Sequence, residues 1–244
     1  MTGRIRRRIG AVARGDQGFT LSEVLVVMVV LGFVLAIVQG ATIAAQRTTS
    51  DIASRVDAAQ NGRQAIDTMS RNLRTAVLPE QLTDGDCTSC STTAFVKGTP
   101  TSVQFFANNN NDQTRLGPSK VSYTLNAKNE LIETIQKPNP HAATNYNYVY
   151  CNPGPSCAVQ SRVIARNVKL TGAQRLFTYF DRTGTAMTSN LLSVAQLSAV
   201  DSIDLLLPVA RTDLRQQQSA PKIVTLTQRV ALPNADTVPE PETT

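Results

Sequence analysis

Hydrophobic positions follow two regimes along the chain, and the change between them comes at Pro79. From Phe19 to Val38 every residue is uncharged except Glu23. A helix of that length rises roughly 30 Å, the thickness of a bilayer core, so the segment predicts a membrane-spanning helix. Further on, Ile52, Val56, Ala59, Ile66, Met69, Leu73 and Val77 recur mostly at steps of three and four, the stripe of a helix packed along one face. Asp51 stands four residues before Arg55, and Asp67 four before Arg71, acid first, on the polar side. No proline occurs between Phe19 and Leu78. One helix of roughly sixty residues is therefore expected, transmembrane over 19–46, amphipathic over 47–78 and stopped by Pro79. Gly32, Gly40 and Gly62 are the expected places for it to bend, because glycine costs about 1 kcal/mol against alanine inside a helix.

Two finer patterns lie on this helix. Gly32, Ala36, Gly40 and Ala44 repeat every fourth residue. They read either as a ridge that admits a second helix closely or as the ordinary small-residue content of a spanning segment. Arg47, Arg55, Arg63 and Arg71 fall every eighth residue, an advance of about 80° each time, so they spiral around a solvated helix and do not line one side.

After Pro79 the chain changes to short β-type runs separated by Gly, Asn, Pro and Ser. Strands are expected at 94–97, 102–107, 120–125, 131–136, 147–151, 162–165, 176–180, 202–209 and 222–231, with Asn126 to Asn129 joining the third and fourth. Leu205 to Leu207 and Ile223 to Leu226 read as the most buried pair. The fold class is α+β: a long N-terminal helix packed on an antiparallel β-sheet ectodomain over 79–232. Residues 233–244, with three prolines and three acids, read as a disordered tail. No internal repeat is visible.

Charge then orients the chain. The formal net charge is +6, but Arg4, Arg6, Arg7, Arg8 and Arg14 against Asp16 place +4 of it in the first 18 residues, leaving +2 beyond them. Arginines before the spanning helix predict that this end stays in the cytoplasm, with the ectodomain exported across a single-pass inner membrane anchor. The near-neutral remainder and the few aromatic residues argue against a nucleic-acid partner.

Glu23 is the main candidate for chemistry, since an acid inside lipid calls for a partner. A basic leader ending at Gly18, followed by Phe19, a Thr20-Leu21 pair, Glu23 and a long apolar helix, resembles the type IV prepilin family of pilins and type II secretion pseudopilins. The resemblance implies that a prepilin peptidase cuts between Gly18 and Phe19, removing residues 1–18, and methylates the new amine of Phe19. It also implies that Glu23 pairs with an amine of a neighbouring subunit to set register in a filament. Physically, the attraction between acid and amine strengthens as both lose water, so the acid stays ionised only with an amine close by. The alternative is an uncleaved anchor whose glutamate snorkels to the headgroups.

A second, more local resemblance lies further along. Phe177-Thr178-Tyr179-Phe180-Asp181 with Gly184, the run 200–207, the ending Leu232-Pro233-Asn234, and Gln60 to Asp67 with Arg71 and Arg74 resemble minor pilins of the PilW type and J-type pseudopilins. What the resemblance implies is a structural filament subunit exposed at the cell surface or in a pilus after assembly, with other pilins as partners. The alternative function is a pilus-tip or membrane-anchored subunit that binds a ligand or DNA, for adhesion or DNA uptake.

Other chemistry has little to build on. His141 is the only histidine, which leaves no ready triad or histidine-rich metal site, and no enzyme activity or cofactor is expected. Cys87, Cys90, Cys151 and Cys157 could give four thiolates to zinc, but an exported ectodomain favours disulfides, with local and cross-loop pairings both open. The run Asn108 to Asp112 has one acid and reads as a polar loop tip, not a calcium loop.

Overall fold

The computed structural model describes residues 20–82, 90–110, 115–140, 148–152, 154, 157, 159–211 and 222–235. Helix α1 spans Leu21–Arg74 and carries the chain through two compact units, one ending at Ser50 and the other beginning at Asp51. In the first unit every described position is exposed, and α1 is the one described helix long and apolar enough to cross a membrane.

The second unit is an α+β domain in which the rest of α1 packs on antiparallel sheets. Ala58, Gly62, Ala65, Ile66, Met69, Ser70 and Leu73 form the buried stripe. Ile52 and Val56, expected on that stripe, are instead 59% and 45% exposed. The buried stripe begins at Ala58, and Leu226 and Val209 reach the helix one turn further on, at Gly62. The helix ends at Arg74, and a 3-10 turn at Pro79–Leu82 follows.

The first sheet holds β1 (Phe95–Gly98), β2 (Ser102–Ala107), β3 (Ser119–Leu125), β4 (Leu131–Gln136) and β5 (Val159–Ala165), in that order. Alternation fixes its faces. Val103 and Phe105, Val121 and Tyr123, and Leu131 and Glu133 are buried on the helix side, while the residues between them face away. Phe95, Phe105 and Tyr123 stack in succession, with ring centroids 5.8 and 6.3 Å apart. Each such ring contributes about 1.5 to 3 kcal/mol by leaving water. The β3–β4 turn is held by Asn126, whose Oδ1 accepts from the N–H groups of Lys128 and Glu130 at 2.9 Å each, and Asn129 takes the positive φ of 60° that the turn needs.

The second sheet runs β7 (Ala186–Met187), β6 (Phe177–Phe180), β8 (Ser202–Ala210) and β9 (Ile223–Ala231). A short helix, α2 (Val194–Ser198), precedes β8 and is capped by a reciprocal Ser193–Gln196 box. Two bridges tie the layers. Ala76 pairs with Ala107, so the chain leaving α1 takes over from β1 along β2, with Val77 N–H donating to Phe106 O at 3.0 Å. Val168 pairs with Val209, which continues the end of β5 alongside β8.

Three local expectations change. Gly62 is not a bend: α1 is helical through it, and a Cβ there would collide with Leu226 Cδ1 and touch Val209 Cγ2 at 3.4 Å. Its missing side chain admits β8 and β9 against the helix. Residues 148–151 form no strand, because Tyr150 leaves the sheet plane to pack on Phe106 and Cys151 enters a disulfide. The chain is still packed at Ala235, which is buried and donates its N–H to Leu232 O at 3.3 Å, so order extends past 232.

Candidate functional site

The site begins at the first turn of α1. Glu23 is the acid of that turn, and it is exposed. Its N–H donates to Thr20 O at 3.0 Å and to Thr20 Oγ1 at 3.4 Å, which satisfies one of the orphan donors at a helix start. Thr20 Oγ1 lies 3.1 Å from Ser22 Oγ. The Glu23 carboxylate makes no ion pair with any described residue. This arrangement can hold an anion ready for a cation from outside the described segment. Gly18 and Phe19, the expected cleavage and methylation positions, lie outside the described residues.

Two polar clusters that sequence reasoning missed fasten the domain to its helix. At the upper end, Arg211 leaves β8, is 7% exposed in its side chain and pairs with the Asp51 carboxylate, while its Nη2 donates to Ser54 Oγ at 2.9 Å. Lys222, at the start of β9, donates to Asp51 Oδ1 and Oδ2 at 3.2 and 3.3 Å. The Lys222 and Arg211 hydrogen bonds hold the Asp51 carboxyl below its ordinary range. The i to i+4 pairing of Asp51 with Arg55 read from sequence gives way to cations from 160 and 171 residues away.

At the lower end, Asn72 of α1 donates from Nδ2 to Tyr123 Oη at 2.7 Å and to Glu133 Oε1 at 3.0 Å. Tyr123 Oη donates to the same Glu133 oxygen at 2.8 Å, and Arg162 pairs with the other. Glu133 is 1% exposed, so this network compensates a buried charge. Burial first, and then the Glu133 charge, push the Tyr123 hydroxyl far above its usual titration range. The only signal in the sequence was a glutamate at an inward position of a strand.

Cys151 and Cys157 form a local disulfide with Cα atoms 5.6 Å apart. Gln136 Nε2 donates to Cys151 O at 2.5 Å and lies 3.3 Å from Cys157 Sγ, anchoring the loop on the outer side of β4. Cys90 is disulfide-bonded as well, whereas Cys87 lies outside the described residues, as do His141 and Asp112. With these sulfurs bridged, the zinc alternative lacks its thiolates. Among the described residues no group of three or more His, Cys, Asp or Glu side chains could hold a metal.

No curated protein matches the chain. Residues 13–38 match the family model described as the prokaryotic N-terminal methylation motif, which spans the leader junction, Glu23 and the apolar start of α1. That motif implies processing by a prepilin peptidase and assembly with other pilins, and with the apolar helix it marks a type IV prepilin-like precursor with a single-pass membrane anchor.

Proposed function

We propose that the mature protein begins at Phe19 and serves as a minor pilin or pseudopilin, a structural and non-enzymatic subunit of a type IV pilus or type II secretion-like filament. The reading rests on the methylation motif over residues 13–38, which runs into the exposed apolar half of α1, where Glu23 is the one acid. In this role Glu23 pairs with the methylated amine of a neighbouring Phe19, and the apolar half of α1 passes from lipid into the filament core without meeting water. The arginines of residues 1–18 hold the uncleaved end in the cytoplasm. The layout at 177–184 and 200–234, similar to minor pilins of the PilW type and J-type pseudopilins, supports a minor over a major subunit.

Mass spectrometry of the membrane or filament fraction tests it. A mature chain starting at N-methylated Phe19 is expected, and recovery of the intact arginine leader alone would overturn the reading.

A further inference from the structure

The outer side of the first sheet carries a pattern that the proposed role of Glu23 and the apolar half of α1 leaves unexplained. Strand register sets Lys97 opposite Gln104, Gln104 opposite Ser122, Ser122 opposite Thr134, and Thr134 opposite Ser161. One row of polar side chains thus crosses all five strands. These positions alternate with the buried Val103, Phe105, Val121, Tyr123 and Glu133, so they face away from α1. At about 4.8 Å per strand the row is about 19 Å long.

A wall borders the row on one side. The next row on the same face pairs Phe106, Lys120, Gln136 and Val159, and Tyr150 from the disulfide-bonded loop stands over it. Lys120 Nζ lies 4.3 Å from the centre of the Tyr150 ring. The five strands contain one carboxylate, Glu133, and it is buried on the opposite face. Among the described strand residues the outer face therefore offers hydroxyls, amides and the ammonium groups of Lys97 and Lys120, with no acid beside them.

We propose that this face binds an extended acidic polysaccharide laid across the strands, its hydroxyls on the row from Gln104 to Ser161 and its carboxylates drawn to Lys97 and Lys120. Neutral donors and acceptors recurring at the strand spacing suit a polymer that presents hydroxyls once per sugar, a repeat close to that spacing. Single-stranded nucleic acid suits the face less well, because stacking needs open aromatic rings and a dense basic track. Here the Phe106 and Tyr150 rings pack on each other and on Lys120. The proposal is independent of whether the subunit enters a filament.

The test uses the full-length protein in detergent micelles, with polygalacturonate as probe and a neutral β-linked glucan and oligo-thymidine as comparisons. Polygalacturonate is expected to bind most tightly, with salt weakening it. A Ser122→Ala, Thr134→Val double variant, which removes both hydroxyls without adding bulk, should melt close to the parent yet bind about tenfold more weakly through two lost hydrogen-bond partners. Lys97→Gln should reduce the salt dependence. Equal binding of the neutral glucan, tighter binding of oligo-thymidine, no binding of polygalacturonate, or unchanged affinity in the double variant would each overturn the proposal.

Discussion

Gly62 of α1 and Leu226 of β9 meet so closely that a Cβ on Gly62 would have to push Leu226 Cδ1 aside. The contact sets how near the second sheet comes to the helix, and it turns a residue of poor helix propensity into a packing requirement.

Substitution at Gly62 should accordingly divide by size. Alanine gains about 1 kcal/mol of helix propensity and displaces only a leucine methyl, so its net effect should stay within about 1 kcal/mol. Leucine cannot be taken up that way and should destabilise by about 1 to 3 kcal/mol. Thermal unfolding of the two variants checks the contrast, and equal stability would show that the close approach is not a constraint.

Asp51 carries the pH dependence of the upper fastening. Its folded pKa lies below the ordinary 3.8, so its contribution is complete above about pH 4 and is lost as pH falls through the lowered value. Asp51→Asn should lower the melting temperature at pH 7 by removing the partner of Arg211 and Lys222. The gap between parent and variant should close below about pH 4, which melting curves across that range will show.

Reducing the Cys151–Cys157 bridge frees a loop with a sequence separation of 6, for which chain entropy gives about 2 kcal/mol. A Cys151→Ser, Cys157→Ser variant should lose about that much stability. A chelator should leave the parent unchanged. Destabilisation by the chelator, with free thiols in mass mapping, would restore the zinc reading.

Glu23→Ala should insert normally, because it removes a charge from an apolar helix. Assembly should suffer: an amine left unpaired in a desolvated interface costs on the order of 3 kcal/mol. Counting the variant in isolated filaments against its membrane pool gives the answer, and normal incorporation would remove Glu23 from its assigned role.

How much of this was legible in the sequence depends on the range of the forces involved. The spanning segment, the helix and the antiparallel sheets were readable because apolar periodicity and proline placement are local. Most strands fell where alternation put them. Ile52 and Val56 were misplaced because periodicity marks a face of a helix but not how far along it the partner reaches. The segment 148–151 looked like a strand from its tyrosines, yet Tyr150 finds Phe106 and Lys120, and Gln136 holds the disulfide loop, contacts no local pattern encodes. The Asp51 and Glu133 clusters were invisible for the same reason. At the N-terminal site the motif itself was fully readable, since Gly18 to Glu23 is contiguous.

The bridge between Ala76 and Ala107 also decides where the polypeptide can be cut. Residues 58–73 are one wall of the second unit's interior, and the strand-like exit from the helix is an edge of its first sheet. A soluble fragment starting at Asp51 keeps that wall and the Arg211 fastening. One starting at Thr75 exposes Tyr123, Glu133, Leu207 and Leu226 to water at once and should be recovered aggregated, so residues 51–74 of α1 and the two sheets are a single folding unit.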